Sequence, residues 1–318
     1  MSDLFSEQKL ADVNFQAKVK NSLTTRLHLG RALNDQDKAN FLDEAVGEAR
    51  RTIIDPPQRK METSDAEFFN AVLKETRDKL GEIGIDSPDQ LLPSPDQIIV
   101  WDKNIEDGTD THGDVSAYGG YVNLKIVKDL PVNSPDAKRV LIHELSHYIT
   151  QSTVVKDAYG DIKVNRRGFN RIENDHKKYG VIEESTAELF TLFCTDGINP
   201  TSYSKQVPFM MALINKYAGD RQMSELEFFK KLFKAKVFQD ERELLQLLDP
   251  KIVKQINNIR VKEAGWGISD PSQLTQIAQE NGFGEKYLSL QNAIDTGEVI
   301  HFPGLNGGIK KGPVQSDK

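Results

Sequence analysis

The segment from Ser134 to Thr150, SPDAKRVLIHELSHYIT, restricts the possible folds of this chain more than any other part of it. Ser134 is a residue type that caps helix N-termini, Pro135 suits a first helical turn, and Asp136 is favourable to the helix dipole. The residues that follow place apolar side chains at helical spacing. The segment therefore predicts one amphipathic helix with its polar motif inside it.

The polar motif on this predicted helix has the composition of a metal site. His143 and His147 lie one turn apart and roughly 40° apart around the helix axis, so both imidazoles can bind one ion. Zinc favours a tetrahedral set of nitrogen and oxygen ligands and keeps one position for water in catalytic sites. Glu144 would lie beside that water and could take its proton as the water attacks a carbonyl. The sequence thus predicts Zn²⁺ as cofactor and Glu144 as general base.

A third zinc ligand has to come from another part of the chain. The metzincin extension would place Gly and His shortly after the motif, but Thr150 and Thr153 stand there, which excludes that branch. The later stretch GVIEESTAELFTLFC has acidic residues at the start of an apolar helical run. It supplies three candidates: Glu183, Glu184 and Glu188.

The two stretches HELSH and EESTAEL resemble the gluzincin branch of zinc metallopeptidases, the thermolysin and aminopeptidase type. In that branch a glutamate from a downstream helix joins the HExxH helix. The resemblance implies a zincin-like fold, Glu184 as the third ligand, and Glu188 as the acid that accepts the free N–H of a zinc-bound histidine. Glu183 is the alternative ligand. One departure is the gap from His147 to Glu184, which is longer than is usual in the family.

The residues within that gap predict a β-hairpin insertion. Residues 153–156 and 162–164 are β-forming and flank the turn-forming sequence AYGD. His176 lies in the same gap and is a competing ligand, but its charged neighbours favour a solvated loop.

Around the motif, the sequence predicts an α+β architecture. Two helices are expected from residue 2 to about 51 and another from about 65 to 80, followed by a strand at 98–101 and a loop from Asn104 to Asp114. The sequence GGYVNLKIV alternates apolar and polar residues, which predicts a half-buried strand. After Gly197 the pattern is helical. Strands before the motif and helices after it are typical of an α+β fold.

Two further features concern substrate binding. An extended peptide could pair with GGYVNLKIV, although an ordinary sheet strand explains that sequence equally well. The negative charge that develops on the tetrahedral oxygen needs a hydrogen-bond donor besides zinc. Tyr203 is the preferred candidate for this catalytic role, and Tyr217, Arg221 and His301 remain open.

Composition limits the possible partners and the location. The formal net charge is −7, with 28% charged residues, so nothing in the overall charge favours nucleic acid. No apolar run is long enough for a membrane span and the start lacks a secretory signal, so we expect a cytoplasmic protein without membrane attachment. The single cysteine, Cys194, lies in an apolar run that predicts a buried side chain.

The sequence as a whole predicts a zinc-dependent peptidase that acts on peptides or proteins. We expect an N-terminal helical segment at residues 1–60, a zincin-like metallopeptidase domain at 61–292, and a largely disordered tail at 293–318. The N-terminal helices either pack on the catalytic domain or form a removable or regulatory segment. Two other functions remain open: a regulatory protease that cuts one intracellular partner, and a helical interaction protein that binds no zinc. The oligomeric state does not follow from the sequence.

Overall fold

The computed structural model describes residues 2–30, 33–54, 63–103, 111–116, 118–127, 130–157, 159–173, 176–195, 203–259, 268 and 270–298. Helices and small β-sheets make up these residues, so the predicted α+β class is confirmed at that level. The chain divides into two compact units, Met1–Arg167 and Gly168–Lys318. The domain boundaries expected near residues 60 and 292 stay predictions.

The first unit begins with helices and continues with strands on either side of the motif helix. Its helices are α1 (Ser2–Arg26), α2 (Asp35–Ile54), α3 (Thr63–Ile83) and α4 (Pro135–Tyr148). Its strands are β1 (Leu27–Leu29), β2 (Ile98–Lys103), β3 (Thr111–Val115), β4 (Val122–Val127), β5 (Ser152–Lys156) and β6 (Ile162–Arg167). The two helices expected before residue 51 are α1 and α2, and the helix expected at 65–80 is α3.

Strands β2, β4 and β3 form a mixed sheet with β4 in the middle. Strand β4 runs parallel to β2, with Ile98 opposite Val122, and antiparallel to β3, with Asp114 opposite Asn123. The alternation predicted for β4 is confirmed, because every second side chain from Val122 onwards is buried. Because β4 is paired on both sides, it has no open edge for a further strand. Of the two interpretations that the sequence left open for GGYVNLKIV, the structure shows the ordinary sheet strand.

Strand β3 also corrects the prediction of a loop from Asn104 to Asp114. Residues 104–110 lie outside the described part of the chain, but residues 111–115 form the edge strand of this sheet. The sequence THGDV has no alternation of apolar and polar residues, so no local signal identifies it as a strand. Its strand conformation depends on its pairing with β4 and not on a preference of its own residues.

Helix α4 packs on β3 and β4 and begins as the sequence predicts. The Ser134 hydroxyl accepts a hydrogen bond from the Ala137 backbone N–H at 3.1 Å, and Pro135 occupies the first turn. Leu141 and Leu145 are fully buried. The cap and the apolar residues together fix the start and the orientation of the motif helix.

The N-terminal helices pack into the first unit. Buried side chains of α1 and α2, among them Phe15, Val19 and Phe41, share one hydrophobic cluster with Tyr121 and Val154 of the strand region. Of the two alternatives for the N-terminal segment, the structure thus shows packing against the unit that carries α4. Strand β1 adds to this packing, because it pairs in parallel with β5.

The hairpin predicted after the motif is confirmed. Strand β5 pairs antiparallel with β6, with a register shift between Thr153 and Val154. One carboxylate oxygen of Asp157 accepts the backbone N–H groups of Tyr159 and Asp161 and closes the turn. The insertion between His147 and the glutamate-rich stretch therefore has a defined structure.

The second unit is mostly helical, as the sequence predicts. It contains the short strands β7 (Asn170–Glu173) and β8 (His176–Lys178), which pair antiparallel. Its helices are α5 (Gly180–Thr195), α6 (Gln206–Asp220), α7 (Glu225–Val237), α8 (Glu241–Leu247), α9 (Pro250–Asn257), α10 (Ser272–Glu280) and α11 (Gly284–Asp295). Within the described residues, no helix has both the length and the apolar character needed to cross a membrane.

Helix α5 is the central helix of this unit. It contacts α6, α7 and α9, and every residue from Gly180 to Cys194 is buried, including the cysteine, as predicted. A helix that is apolar on most sides is expected to be buried in this way. The glutamates at its start are consequently buried as well, which requires a compensating partner for each carboxylate.

Candidate metal centre

The two histidines of α4 lie side by side, as the motif predicts. Their Nε2 atoms are 3.2 Å apart, and their ring centroids are 4.9 Å apart. Two nitrogen ligands of one tetrahedral zinc, each at about 2.0–2.1 Å from the ion, would be roughly 3.3 Å apart. The observed separation of the two Nε2 atoms therefore suits a shared ion. His143 is buried and His147 is half-buried, so the pair is shielded but not sealed from solvent.

Glu144 of α4 is buried and faces the edge strand β3. A Cβ atom added to Gly113 of β3 would lie 2.5 Å from Glu144 Cγ and 2.9 Å from Val140 Cγ1. The absence of a side chain at residue 113 therefore lets the backbone of β3 approach α4 at the position of the predicted base. Gly113 was not among the predicted site residues, because β3 was predicted as a loop.

The three glutamates of α5 differ in what they contact. Glu183 forms a buried ion pair with Lys236 of α7, with 3.1 Å between Nζ and Oε1, and it also accepts the Phe169 backbone N–H at 2.8 Å. Gly168, at a φ of +56°, passes so close to this carboxylate that a Cβ there would lie 2.6 Å from an oxygen of Glu183. Glu183 is thus held within its own unit by Lys236 and the 168–169 turn.

Glu184 has a different partner. Its Oε2 atom accepts a hydrogen bond from the Tyr203 hydroxyl at 3.1 Å, and the residue is only 2% exposed. Glu188, one turn further along α5, is fully buried. Its expected role as acceptor of a histidine N–H stays a prediction.

One group of candidate metal ligands occurs among the described side chains. It consists of His143, His147 and Glu184, whose ligand atoms all lie within 4.8 Å of one another. Two imidazole nitrogens and one carboxylate oxygen form the donor set that zinc takes in catalytic sites, where the fourth position is kept for water. The residues present therefore fit zinc. Of the three glutamates that the sequence offers, Glu184 is the one in this candidate group.

The other sequence candidates lie elsewhere in the structure or outside the described part of the chain. Arg221 stacks on the Tyr217 ring, with 5.1 Å from its guanidinium carbon to the centroid, and donates to the Gln246 carbonyl. The backbone of His176 lies in β8, but its side chain lies outside the described part of the chain, as does all of His301.

A buried arginine at the end of α4 is a further feature that the sequence analysis missed. Arg26 of α1 donates to the backbone carbonyl of Tyr148, the last residue of α4, and to the carbonyl of Gly119 at 2.8 Å. Its guanidinium carbon lies 4.0 Å from the centre of the Tyr148 ring. Burial lowers the pKa of Arg26, whereas Tyr148 acts to raise it. Arg26 of α1 thus provides a hydrogen-bond donor and a cation–π contact at the C-terminal end of the motif helix.

The Tyr148 side chain extends this contact. Its hydroxyl lies 2.5 Å from Ser22 Oγ on α1 and accepts a hydrogen bond from Gln97 Nε2 at 3.1 Å. Tyr148 directly follows His147 in the chain, so α1 constrains the turn of α4 that carries this candidate ligand. No local sequence signal identifies this network, because its members are far apart in the chain.

Comparison with protein-family models, curated proteins and solved structures finds no match to this chain. We therefore infer a function from the residues of this chain and their geometry.

Proposed function

We propose that this chain is a zinc-dependent peptidase with a zincin-like catalytic fold. In this proposal His143, His147 and Glu184 bind the zinc ion and Glu144 is the general base. The observation that carries the proposal is the grouping of these three ligands, with ligand atoms within 4.8 Å, next to a buried glutamate of the HExxH pattern.

Zinc, when bound, would supply a Lewis acid that polarises the scissile carbonyl and lowers the pKa of a water molecule. The chain's own residues supply the proton transfers. Glu144 accepts the proton of the attacking water and later delivers it to the leaving amine. Burial of Glu144 keeps its carboxylate away from bulk solvent and next to the candidate ligand His143 in the chain.

Strand β3 supports the choice of a peptide as substrate. It lies at the edge of its sheet and passes directly over the predicted base through Gly113. An edge strand can pair with an extended peptide through main-chain hydrogen bonds. A peptide bound in this way would place its backbone near Glu144, as hydrolysis of a peptide bond requires. We therefore assign the substrate-pairing role to β3 in place of β4.

Zinc content measured by elemental analysis tests the metal site. Wild type should contain about one zinc per chain, whereas His147→Ala and Glu184→Gln should lose it or bind it weakly. His28→Ala and Glu285→Gln are matched controls, because both residues are exposed and lie outside the candidate ligand group. They should retain zinc.

A peptide-library cleavage assay then tests the catalytic role. Glu144→Gln should keep its zinc but lose hydrolysis, because the amide cannot accept the proton of water. Zinc-free wild type, even after incubation with added zinc, would contradict the proposal. The remaining explanation would then be an interaction protein in which the two imidazoles share an ordinary N–H···N hydrogen bond.

A further inference from the structure

Tyr203 has a fixed position in front of helix α6. Its backbone carbonyl accepts the N–H groups of Gln206 and Val207, each at 3.0 Å, so the residue is tied to the first turn of the helix. From this position the side chain reaches α5, where its hydroxyl donates to Glu184 Oε2 at 3.1 Å. Because both the backbone and the hydroxyl group of Tyr203 are hydrogen-bonded, the orientation of its ring is restricted.

This contact bears on the role expected for Tyr203 from the sequence. A phenol hydroxyl carries one proton and can donate it in one direction. In the structure that proton is directed at the Glu184 carboxylate. A donor engaged there is not available to stabilise negative charge on a reacting carbonyl oxygen.

From this geometry we infer that Tyr203 is a positioning residue, which holds the Glu184 carboxylate in the orientation needed to bind the metal. The inference rests on the proposed zinc site. A ligating carboxylate that has lost its hydrogen-bond partner can rotate, and loss of such a partner usually weakens metal affinity by about 10–100-fold. Tyr203 therefore acts on the reaction through Glu184 and does not contact the substrate.

The test is the zinc affinity of Tyr203→Phe, measured by competition with a chromophoric chelator. The substitution removes one oxygen and keeps the ring. Tyr179→Phe is a matched control, because the Tyr179 hydroxyl also donates to a glutamate of the same unit, Glu241 Oε1 at 2.6 Å. We expect zinc affinity to fall by about 10–100-fold in Tyr203→Phe and to stay unchanged in Tyr179→Phe.

A double-mutant cycle makes the assignment specific to Glu184. In a Glu184→Gln background, Tyr203→Phe should weaken zinc binding much less than it does in wild type, because the carboxylate that it orients is gone. If Tyr203→Phe weakened zinc binding by the same factor in both backgrounds, the inference would be overturned. Far-UV circular dichroism of all variants checks that the fold is kept.

Peptidase kinetics separate positioning from direct catalysis. With enough zinc to saturate the site, Tyr203→Phe should recover kcat to within about threefold of wild type, since only ligand orientation has been lost. Unchanged zinc affinity would overturn the inference. If kcat also fell by about 10²–10³, Tyr203 would instead be the oxyanion donor. A wild type that binds no zinc would refute the proposed metal site and, with it, this inference.

Discussion

Replacement of Lys236 by methionine should destabilise the protein by about 3–5 kcal/mol, because it leaves a charged carboxylate buried without its cation. Both members of the Lys236–Glu183 pair are almost fully buried, with side-chain exposures of 0% and 2%. At their 3.1 Å separation the attraction is about 5 kcal/mol for an effective dielectric constant of about 20. The Phe169 N–H remains as a partner for Glu183 but cannot replace a full positive charge.

The pair Lys205–Asp295 is a matched control. Its two atoms are also 3.1 Å apart, but the side chains are 39% and 53% exposed. Solvent screens such a pair, so Lys205→Met should cost less than about 1 kcal/mol. The difference between the two variants isolates the effect of burial.

Urea unfolding followed by circular dichroism and by fluorescence gives the free energies, provided that both probes report the same transition. The double variant Glu183→Gln/Lys236→Met should recover most of the loss, since neither charge remains. It should also keep its zinc, because Glu183 is outside the proposed ligand set. If Lys236→Met is no more destabilising than Lys205→Met, burial does not strengthen the Lys236–Glu183 pair. Loss of zinc in the double variant would place Glu183 among the ligands.

Three other perturbations test features of the first unit. Gly113→Ala should lower peptide hydrolysis by about 10²-fold, because the new methyl group displaces Glu144. Its zinc content should stay the same, and a loss of zinc that matches the loss of activity would contradict this. Arg26→Met should cost about 2–4 kcal/mol in urea unfolding, since it strips two buried carbonyls of their donor, and a cost below about 1 kcal/mol would show that water replaces it. The backbone N–H of residue 34 and the Lys156 ammonium hold the pKa of Asp37 below its ordinary 3.8. The ionised Asp37 side chain therefore stabilises the protein fully above that pH, and this stabilisation is lost as the pH falls further. In Asp37→Asn the free energy of unfolding should decrease less steeply at acid pH, and an unchanged decrease would refute this assignment.

The features that the sequence predicted well depend on signals within a few residues. Ser134 caps α4 through the N–H three residues on, and the alternation in β4 extends over six residues. The hairpin turn at Asp157 closes on its own neighbours. Each of these elements is specified by local chemistry, so a single sequence is enough to find it.

Other features depend on contacts that local sequence patterns do not specify. The neighbouring residues Glu183 and Glu184 are the same amino acid on the same helix, and helical periodicity does not decide between them, so the preference for Glu184 came from the family resemblance alone. The distinction comes from Lys236 on another helix, which pairs with Glu183, and from Tyr203, which contacts Glu184. Strand β3 pairs with the next strand in the chain, β4, but its own residues lack the alternation that would identify it as a strand.

The polar residues of α4 also bear on the choice between a metal site and an accidental pattern. His143 and Glu144 are only 7% and 9% exposed, next to fully buried leucines of the same helix. Burial of a polar side chain costs free energy that its partners have to offset, a cost that apolar side chains such as Leu141 and Leu145 do not carry. A helix whose role is packing alone has no need of a histidine and a glutamate side by side at buried positions. The proposed site gives each of them a function, because His143 would bind the metal and Glu144 would transfer protons, with Glu184 as the third candidate ligand.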